Sequence, residues 1–336
     1  PSYPSPGHHE PLDQDPPATF NSMNSMTPIK ILLTGRDGQI GRELRPLLGE
    51  IGECVATSRL ELDLLNPAAI RDTIAAIAPD IIINAAGYTQ VDRAEHEPDV
   101  AMAVNANAPR ALAENAARCN ASIIHLSTDY IFDGRSRSPY TTDAPAAPLN
   151  AYGRSKLAGE QAIRASNADH LVLRTSWIYG FQGRNFLRTM LRLADERDQL
   201  DIVDDQTGTP TWSRTVARAI VSIIRSAWHD GTDAHPRGFG EAAGTYHVAN
   251  TGEATWFDFA QAIFDLAQLE RTPALRPIPT SSYPTPAERP AYSVLDVSET
   301  VTTFGLMLPT WRDALNEAFE HAWSTGSVTE SVEGRS

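Results

Sequence analysis

A chain of 336 residues with a formal net charge of −14 can bury a large core, and it is too acidic to offer the basic face that nucleic acid or an anionic membrane requires. Its two cysteines, Cys54 and Cys119, lie far apart with neither C-x-x-C nor metal-ligand spacing. They read as core thiols of a reducing cytoplasm. No apolar run reaches about 18 residues and no basic-then-apolar leader opens the chain, so a cytoplasmic, unexported protein without a membrane span is expected.

Residues 1–26 are rich in proline and polar spacers, with Glu10, Asp13 and Asp15 as their charged side chains, and read as a disordered tail ahead of Met26, a natural start. His8 and His9 are an adjacent pair in that tail and read as solvated rather than as a metal site. From Ile29 the text alternates. A short apolar strand at 29–34 precedes an amphipathic helix at 38–48, a strand at 53–57 and a helix at 67–77. The run Asp80-Ile81-Ile82-Ile83-Asn84-Ala85-Ala86 is nearly all apolar, as in a parallel strand covered on both faces. An Ala-rich helix over 98–119, a strand over 121–127, a helix carrying Tyr152 and a strand over 170–175 continue the pattern. This is the grammar of an α/β, doubly wound, Rossmann-like parallel sheet.

After Trp177 the rhythm loosens into a helix near 185–197, a strand near 200–203, a helix over 213–228 and a loop through Gly244. Segments at 245–249, 256–269, 275–279 and 309–323 suffice for a smaller mixed α/β lobe. The expected division is a nucleotide-binding domain over 27–175 to which 200–228 returns, a substrate lobe from 176–199 and 229–323, and a frayed tail at 324–336.

The first strand runs into Gly35-Arg36-Asp37-Gly38-Gln39-Ile40-Gly41 and then a helix, so backbone N–H groups face whatever sits above the strand. Glycines there serve a tight turn, close ligand approach and close helix packing, the requirements of a pyrophosphate cradle. The G-x-x-G-x-x-G spacing resembles that of the extended short-chain dehydrogenase/reductases. Where an acid often holds a ribose 2′-OH, the second strand ends in Thr57-Ser58-Arg59, and Arg36 lies in the loop. Positive charge there favours a 2′-phosphate, hence NADPH, although both arginines also read as surface charges and NADH stays open.

Tyr152 and Lys156 stand four residues apart, on one face of a helix that Pro148 and Asn150 are suited to start. A phenol titrates at about 10 when unperturbed, and a nearby ammonium favours the phenolate, so the pair can move a proton beside a nicotinamide. Read alone, Y-x-x-x-K is equally a surface pair. Thr128-Asp129-Tyr130 follows the strand Ser122-Ile123-Ile124-His125-Leu126-Ser127, at the edge where such sheets place ligands. Thr128 is then the natural hydroxyl partner of Tyr152, with a strand-end cap as its plainer role.

Several motifs in one order resemble the dTDP-4-dehydrorhamnose reductase family from Met26 to about Trp323. They are Thr34-Gly35 through Gly41, Asn84-Ala85-Ala86-Gly87-Tyr88-Thr89, Val91-Asp92, Ser127 through Gly134, Tyr152 through Leu157, Arg174 through Gly180, Gly183 with Asn185-Phe186, Asp205 through Thr211, and Arg289-Pro290-Ala291-Tyr292-Ser293. The resemblance implies reduction of the C4 ketone of dTDP-4-dehydro-β-L-rhamnose to dTDP-β-L-rhamnose by NADPH or NADH. It implies Thr128, Tyr152 and Lys156 as catalytic residues. Gly35, Gly38, Gln39 and Ile40 would meet the cofactor pyrophosphate, Asp63 and Leu64 the adenosine, and Ala85, Ala86, Tyr88, Tyr152 and Lys156 the ribose and nicotinamide side. Val91, Thr128, Asp129, Tyr130, Trp177 and Arg289 would face the sugar nucleotide; Trp177 is also readable as a core aromatic, Arg289 as a surface cation and Asp129 as a cap. Some members dimerise through a magnesium ion held by glutamates. Glu43 fits one such position, but Trp212-Ser213-Arg214 brings a cation where a second acid is expected, so a monomer or a dimer without bridging metal is expected.

Two rivals share the fold. An NDP-sugar dehydratase or epimerase would recycle a tightly held NAD, but a dehydratase typically carries an Asp-Glu pair after the threonine, whereas Asp129 is followed here by Tyr130. A non-catalytic relative, like the regulatory subunit of methionine adenosyltransferase, would act by binding a partner.

Overall fold

The computed structural model describes residues 28–229, 231 and 237–326; the expected tail at 1–26 and residues 327–336 of the expected tail at 324–336 lie outside them. In chain order the first half comprises β1 (Ile29–Thr34), α1 (Gln39–Leu48), β2 (Gly52–Thr57), α2 (Pro67–Ile77), β3 (Ile81–Asn84), α3 (Val91–His96), α4 (Pro98–Met102), α5 (Ala108–Cys119), β4 (Ser122–Thr128), α6 (Ala151–Arg164) and β5 (His170–Thr175). The second comprises β6 (Ile178–Tyr179), α7 (Phe186–Glu196), β7 (Gln199–Val203), β8 (Thr207–Gly208), β9 (Thr211–Trp212), α8 (Ser213–Ala227), β10 (Gly244–His247), β11 (Ala254–Thr255), α9 (Trp256–Leu266), β12 (Ala274–Ile278), α10 (Ser298–Phe304) and α11 (Trp311–Ser324).

Among the described residues the main sheet has six parallel strands in the order β2-β1-β3-β4-β5-β10. Alternate side chains feed two cores. Ile31, Leu33, Ile81, Ile83, Ile124 and Leu173 pack under Leu44 and Leu48 of α1 and Val216, Ile220 and Ile224 of α8. Leu32, Ile82, Ile123 and Val172 point the other way, toward Ile70 and Ile74 of α2, Leu112 and Ala116 of α5 and Ile163 of α6. Strands covered on both faces are mostly apolar, which is why they read as near-continuous runs. The chain leaves β1 outward to β2, then crosses back to β3, so the order reverses between β1 and β3. A ligand crevice therefore opens at their carboxyl ends.

A third core joins α7, α9 and α11 with the parallel β7–β12 pair, around Leu187, Met190, Leu200, Phe259, Trp311 and Phe319. This corrects the expected division in two places. The segment 200–228 splits, since β7 pairs with β12 whereas α8 lies on α1. From the stretch 229–323, β10 joins the main sheet beside β5, and Phe304 of α10 packs against Tyr246 of β10. The Ala-rich stretch 98–119 is also not one uniform helix, because residues Ala103–Asn107 form a π-helical turn between α4 and α5. Cys54 packs partly buried against the first core, but Cys119, at the end of α5, is exposed and is not a core thiol.

Candidate active site

Three turns meet at the crevice. After β1, Gly38 N–H donates to Gly35 O at 3.0 Å, and Gly35 adopts φ +75°. A Cβ on Gly35 would lie 2.6 Å from Ala86 N, and one on Gly41 2.2 Å from Gly35 O, so the loop, the turn after β3 and α1 close only around glycine. Gly38 gives α1 no side-chain cap, which leaves the first-turn N–H groups to an anion. The cradle thus suits a pyrophosphate. Gln39 reaches away from it, accepting from Asn185 Nδ2 at 2.8 Å and so tying α1 to the chain ahead of α7. The Ile40 side chain lies in the core beneath α1, so only its backbone can face a ligand.

After β3, Tyr88 N–H donates to Asn105 Oδ1 at 2.8 Å, while Asn105 Nδ2 donates to Tyr88 O and to Ser155 Oγ, each at 3.0 Å. Asn105 sits in the π-helical turn, where the wide backbone lets one side chain address both a loop and a neighbouring helix. A Cβ on Gly159 would lie 2.1 Å from Asn105 O, so that glycine is what lets α6 approach. Ala85 and Ala86 line the turn half-buried.

After β4, Thr128 Oγ1 accepts from Tyr130 N–H at 3.2 Å and donates to Asp129 Oδ1 at 3.1 Å. Asp129 Oδ2 is buried with no hydrogen-bond partner. Burial pushes the Asp129 carboxyl up to about 7, against the pull of the Ser293 and Thr128 hydroxyls. Asn150 caps α6 by accepting from Gly153 N–H at 2.8 Å, as the sequence suggests, and thereby aims Tyr152 at Thr128. Burial pushes the Tyr152 phenol up to about 12; the Thr128 hydroxyl beside it pulls down and Asp129 adds to the rise. Tyr130 meets the Tyr152 ring edge-on, with centroids 5.7 Å apart.

Lys156 departs from expectation. Its ammonium is not among the groups that set the Tyr152 pKa. Instead Nζ donates to Leu126 O at 2.5 Å and lies 3.5 Å from His125 Nε2, and burial drops its pKa to about 8 against the opposite pull of Glu160. Sequence reasoning gave no role to His125, Asn105, Ser155 or Ser293, all buried around this cluster.

The remaining expected residues lie further out. Asp63 is exposed and accepts from Leu65 N–H at 3.0 Å, and Leu64 packs partly buried on the α2 side. Arg36 is held by Glu61 at 2.8 Å, and the same carboxylate accepts from Ser58 N–H and Oγ–H at 2.8 Å. An acid therefore does stand at the end of β2, supplied by Glu61 from four positions beyond Thr57. Val91 opens α3 half-buried, and the next residue, Asp92, binds Arg289 through two bonds of 2.5 and 2.7 Å. Arg289 is thus a paired cation that joins α3 to the segment after β12, near Tyr130, rather than a free surface charge. Trp177 stacks flat on Trp256, with centroids 3.5 Å apart, at a positive φ of 44°. Glu43 carries Arg214 at 3.7 Å, and among the described residues no cluster of acids, histidines and cysteines could hold a metal.

The chain resembles known proteins over most of its length. The family profile described as RmlD substrate binding domain matches residues 29–323. The dTDP-4-dehydrorhamnose reductase of Burkholderia thailandensis is 42% identical over 296 residues, covering 85% of this chain and 97% of that protein. The enzyme of the same name from Escherichia coli K12 is 38% identical over 308 residues, covering 89% and 100%. The crystal structure of dTDP-4-dehydrorhamnose reductase from Bacillus anthracis, in complex with NADP, superposes with a TM-score of 0.80 at 34% identity, over 87% of this chain and 99% of that one.

Proposed function

This chain belongs to the dTDP-4-dehydrorhamnose reductase family, and from that premise we propose how its residues reduce the C4 ketone of dTDP-4-dehydro-β-L-rhamnose to dTDP-β-L-rhamnose. It is an oxidoreductase, and its cofactor is NADPH, which supplies the hydride. Gly35, Gly38 and the first turn of α1 hold the pyrophosphate, while Ala85, Ala86 and Tyr88 bound the nicotinamide side.

Tyr152 is the general acid. With its pKa near 12, the phenol is fully protonated at neutral pH and can give its proton to the C4 oxygen as negative charge develops there. Thr128 turns its hydroxyl from Asp129 to the same oxygen, sharing that charge. The orphaned Asp129 Oδ2 requires a donor, and a sugar hydroxyl supplies one. Arg289, kept in place by Asp92, offers positive charge toward the diphosphate from the far side of Tyr130. Trp177, propped by Trp256, walls the sugar-nucleotide end, and Asp63 and Leu64 border the adenosine. The observation that carries the reading is the meeting of Thr128 and Tyr152 at the edge of β4, beside Lys156 and next to the glycine turn.

Arg214 beside Glu43 argues for a monomer or a dimer without a bridging metal. Two unpaired thiols fit a cytoplasmic setting, and among the described residues no helix is long and apolar enough to cross a membrane. Incubating the protein with dTDP-, UDP- and GDP-linked 4-keto sugars, with NADPH and NADH in parallel, tests the assignment. Consumption of reduced cofactor is expected first with the dTDP sugar; none with any ketosugar, or elimination of water instead of reduction, would overturn it.

A further inference from the structure

Trp177 follows β5 at a positive φ of 44°, a left-handed conformation that an aromatic residue keeps only where its surroundings hold it. Four strands of two residues each supply those surroundings. β6 begins at the next residue and pairs in parallel with β9, and Thr211 N–H donates to Trp177 O at 3.1 Å. β8 pairs antiparallel with β11, Gly208 opposite Ala254 and Thr207 opposite Thr255, which ties β8 to the start of α9 at Trp256. The Trp256 ring lies on Trp177 with centroids 3.5 Å apart and planes 3° from parallel. Its own indole N–H donates to Gln206 Oε1 at 3.2 Å, and Phe186 of the third core leans on it with centroids 4.7 Å apart.

The second face of Trp177 is covered as well. A Cβ built on Gly208 would lie 2.4 Å from Trp177 Cε2, 2.6 Å from Nε1 and 2.7 Å from Cζ2, all nearer than any atom of Trp256, so Gly208 backs the face that Trp256 does not. Neither face is left for a nucleotide base. The rim is open: among the described residues the Trp177 indole N–H has no hydrogen-bond partner, and it is not buried. An unpaired N–H on a ring that cannot turn is a directional donor.

We propose that Trp256 and Gly208 are positioning residues for the sugar-nucleotide site, clamping the Trp177 indole from both faces so that it meets the ligand edge-on and gives its Nε1–H to an oxygen of the bound sugar nucleotide. This rests on the reading that places Trp177 at that end of the site. It gives the Asp205–Thr211 stretch a task, since Gln206 anchors Trp256, Gly208 admits the ring and Thr211 holds its backbone. Gly208 has no positive φ, so an alanine there meets no backbone strain and acts through the indole it displaces.

Titration calorimetry with dTDP-β-L-rhamnose is expected to show binding weaker by about fivefold or more in Gly208→Ala and in Trp256→Leu, the worth of one hydrogen bond, with the NADPH dissociation constant within about twofold of wild type. In a Trp177→Ala background, where no ring remains to be displaced, either substitution should add less than about twofold. Wild-type affinity in folded Gly208→Ala and Trp256→Leu overturns the proposal. So does a full additive loss in the Trp177→Ala background, which would make the two residues supports of the lobe only. In the wild type, the Trp177 indole N–H signal, assigned among the chain's six indoles by Trp177→Phe, should move downfield on saturation with the ligand, and a signal that stays in place overturns the proposal too. Failure of the wild type to bind dTDP-β-L-rhamnose at all would instead count against the functional reading.

Discussion

Glu160 lies one turn beyond Lys156, fully buried, and anchors the strand end that presents Thr128. Its Oε1 accepts from Ser127 Oγ at 2.5 Å and from Arg174 Nε at 3.0 Å, and its Oε2 accepts from Arg174 Nη2 at 2.9 Å. Arg174 is itself 4% exposed, donates to Thr142 O at 2.9 Å and lies over the Phe132 ring. Glu160→Gln removes the charge that balances this guanidinium and turns one acceptor into a donor. Breaking one side of a buried pair costs about 3–5 kcal/mol, because the surviving charge stays buried. Arg174→Met should cost a similar amount. The double variant Glu160→Gln/Arg174→Met strands no buried charge, since Arg164, the other partner of Glu160 at 3.4 Å, is exposed, so its cost should fall short of the sum by about 2 kcal/mol or more. Equilibrium urea denaturation at pH 7 measures all three. A Glu160→Gln stability within about 1 kcal/mol of wild type, or strict additivity in the double variant, would refute the claim that this pair fastens α6 to β4 and β5.

Gly35→Ala forces a left-handed residue against Ala86 N, at about 1–2 kcal/mol for the conformation and a further ~1–3 for the overlap. Fluorescence titration should show NADPH binding at least tenfold weaker, and a wild-type dissociation constant would remove the glycine turn from the cofactor site. Asp129 has a folded pKa of about 7 against 3.8, so the native state binds the extra proton and this group's contribution to stability falls as pH rises from about 4 through 7. Asp129→Asn should therefore gain relative stability across that window, by at most about 4 kcal/mol, and parallel urea curves at pH 4.5 and 7.5 showing no gain would refute it. Glu61→Gln removes the nearer of the two carboxylates beside Arg36, leaving Asp37 at 3.8 Å, so the kcat/KM preference for NADPH over NADH should rise roughly threefold to tenfold; an unchanged ratio would place the 2′-phosphate elsewhere.

The parallel strands were legible because burial on both faces makes them largely apolar, and Pro67, Asn150 and Gly35 announced where helices and turns begin. What escaped has physical reasons. The strands of two residues, such as Ile178–Tyr179 and Thr211–Trp212, are too short to show any period. The π-helical turn hides in Ala-rich text that reads as plain helix. β10 joins the main sheet through tertiary pairing that no local pattern encodes. In the site, Tyr152 and Lys156 stand out through helical spacing and Thr128 through its strand end. Thr34, Asn84 and His125 become a hydrogen-bonded row only once the register of three strands is known. Arg289 and Asp92 are 197 positions apart, so the cation could be seen in the sequence but not its partner. The expectation that Lys156 lowers the tyrosine pKa overlooked how strongly burial and the Leu126 carbonyl act on each group.

The central claim, that Tyr152 delivers the proton to the C4 oxygen, is tested most directly by single-turnover reduction of dTDP-4-dehydro-β-L-rhamnose by Tyr152→Phe saturated with NADPH. The rate should fall by roughly 10²–10⁴ while the NADPH dissociation constant stays within about twofold of wild type. A variant that reduces the ketone at close to the wild-type rate would contradict the account.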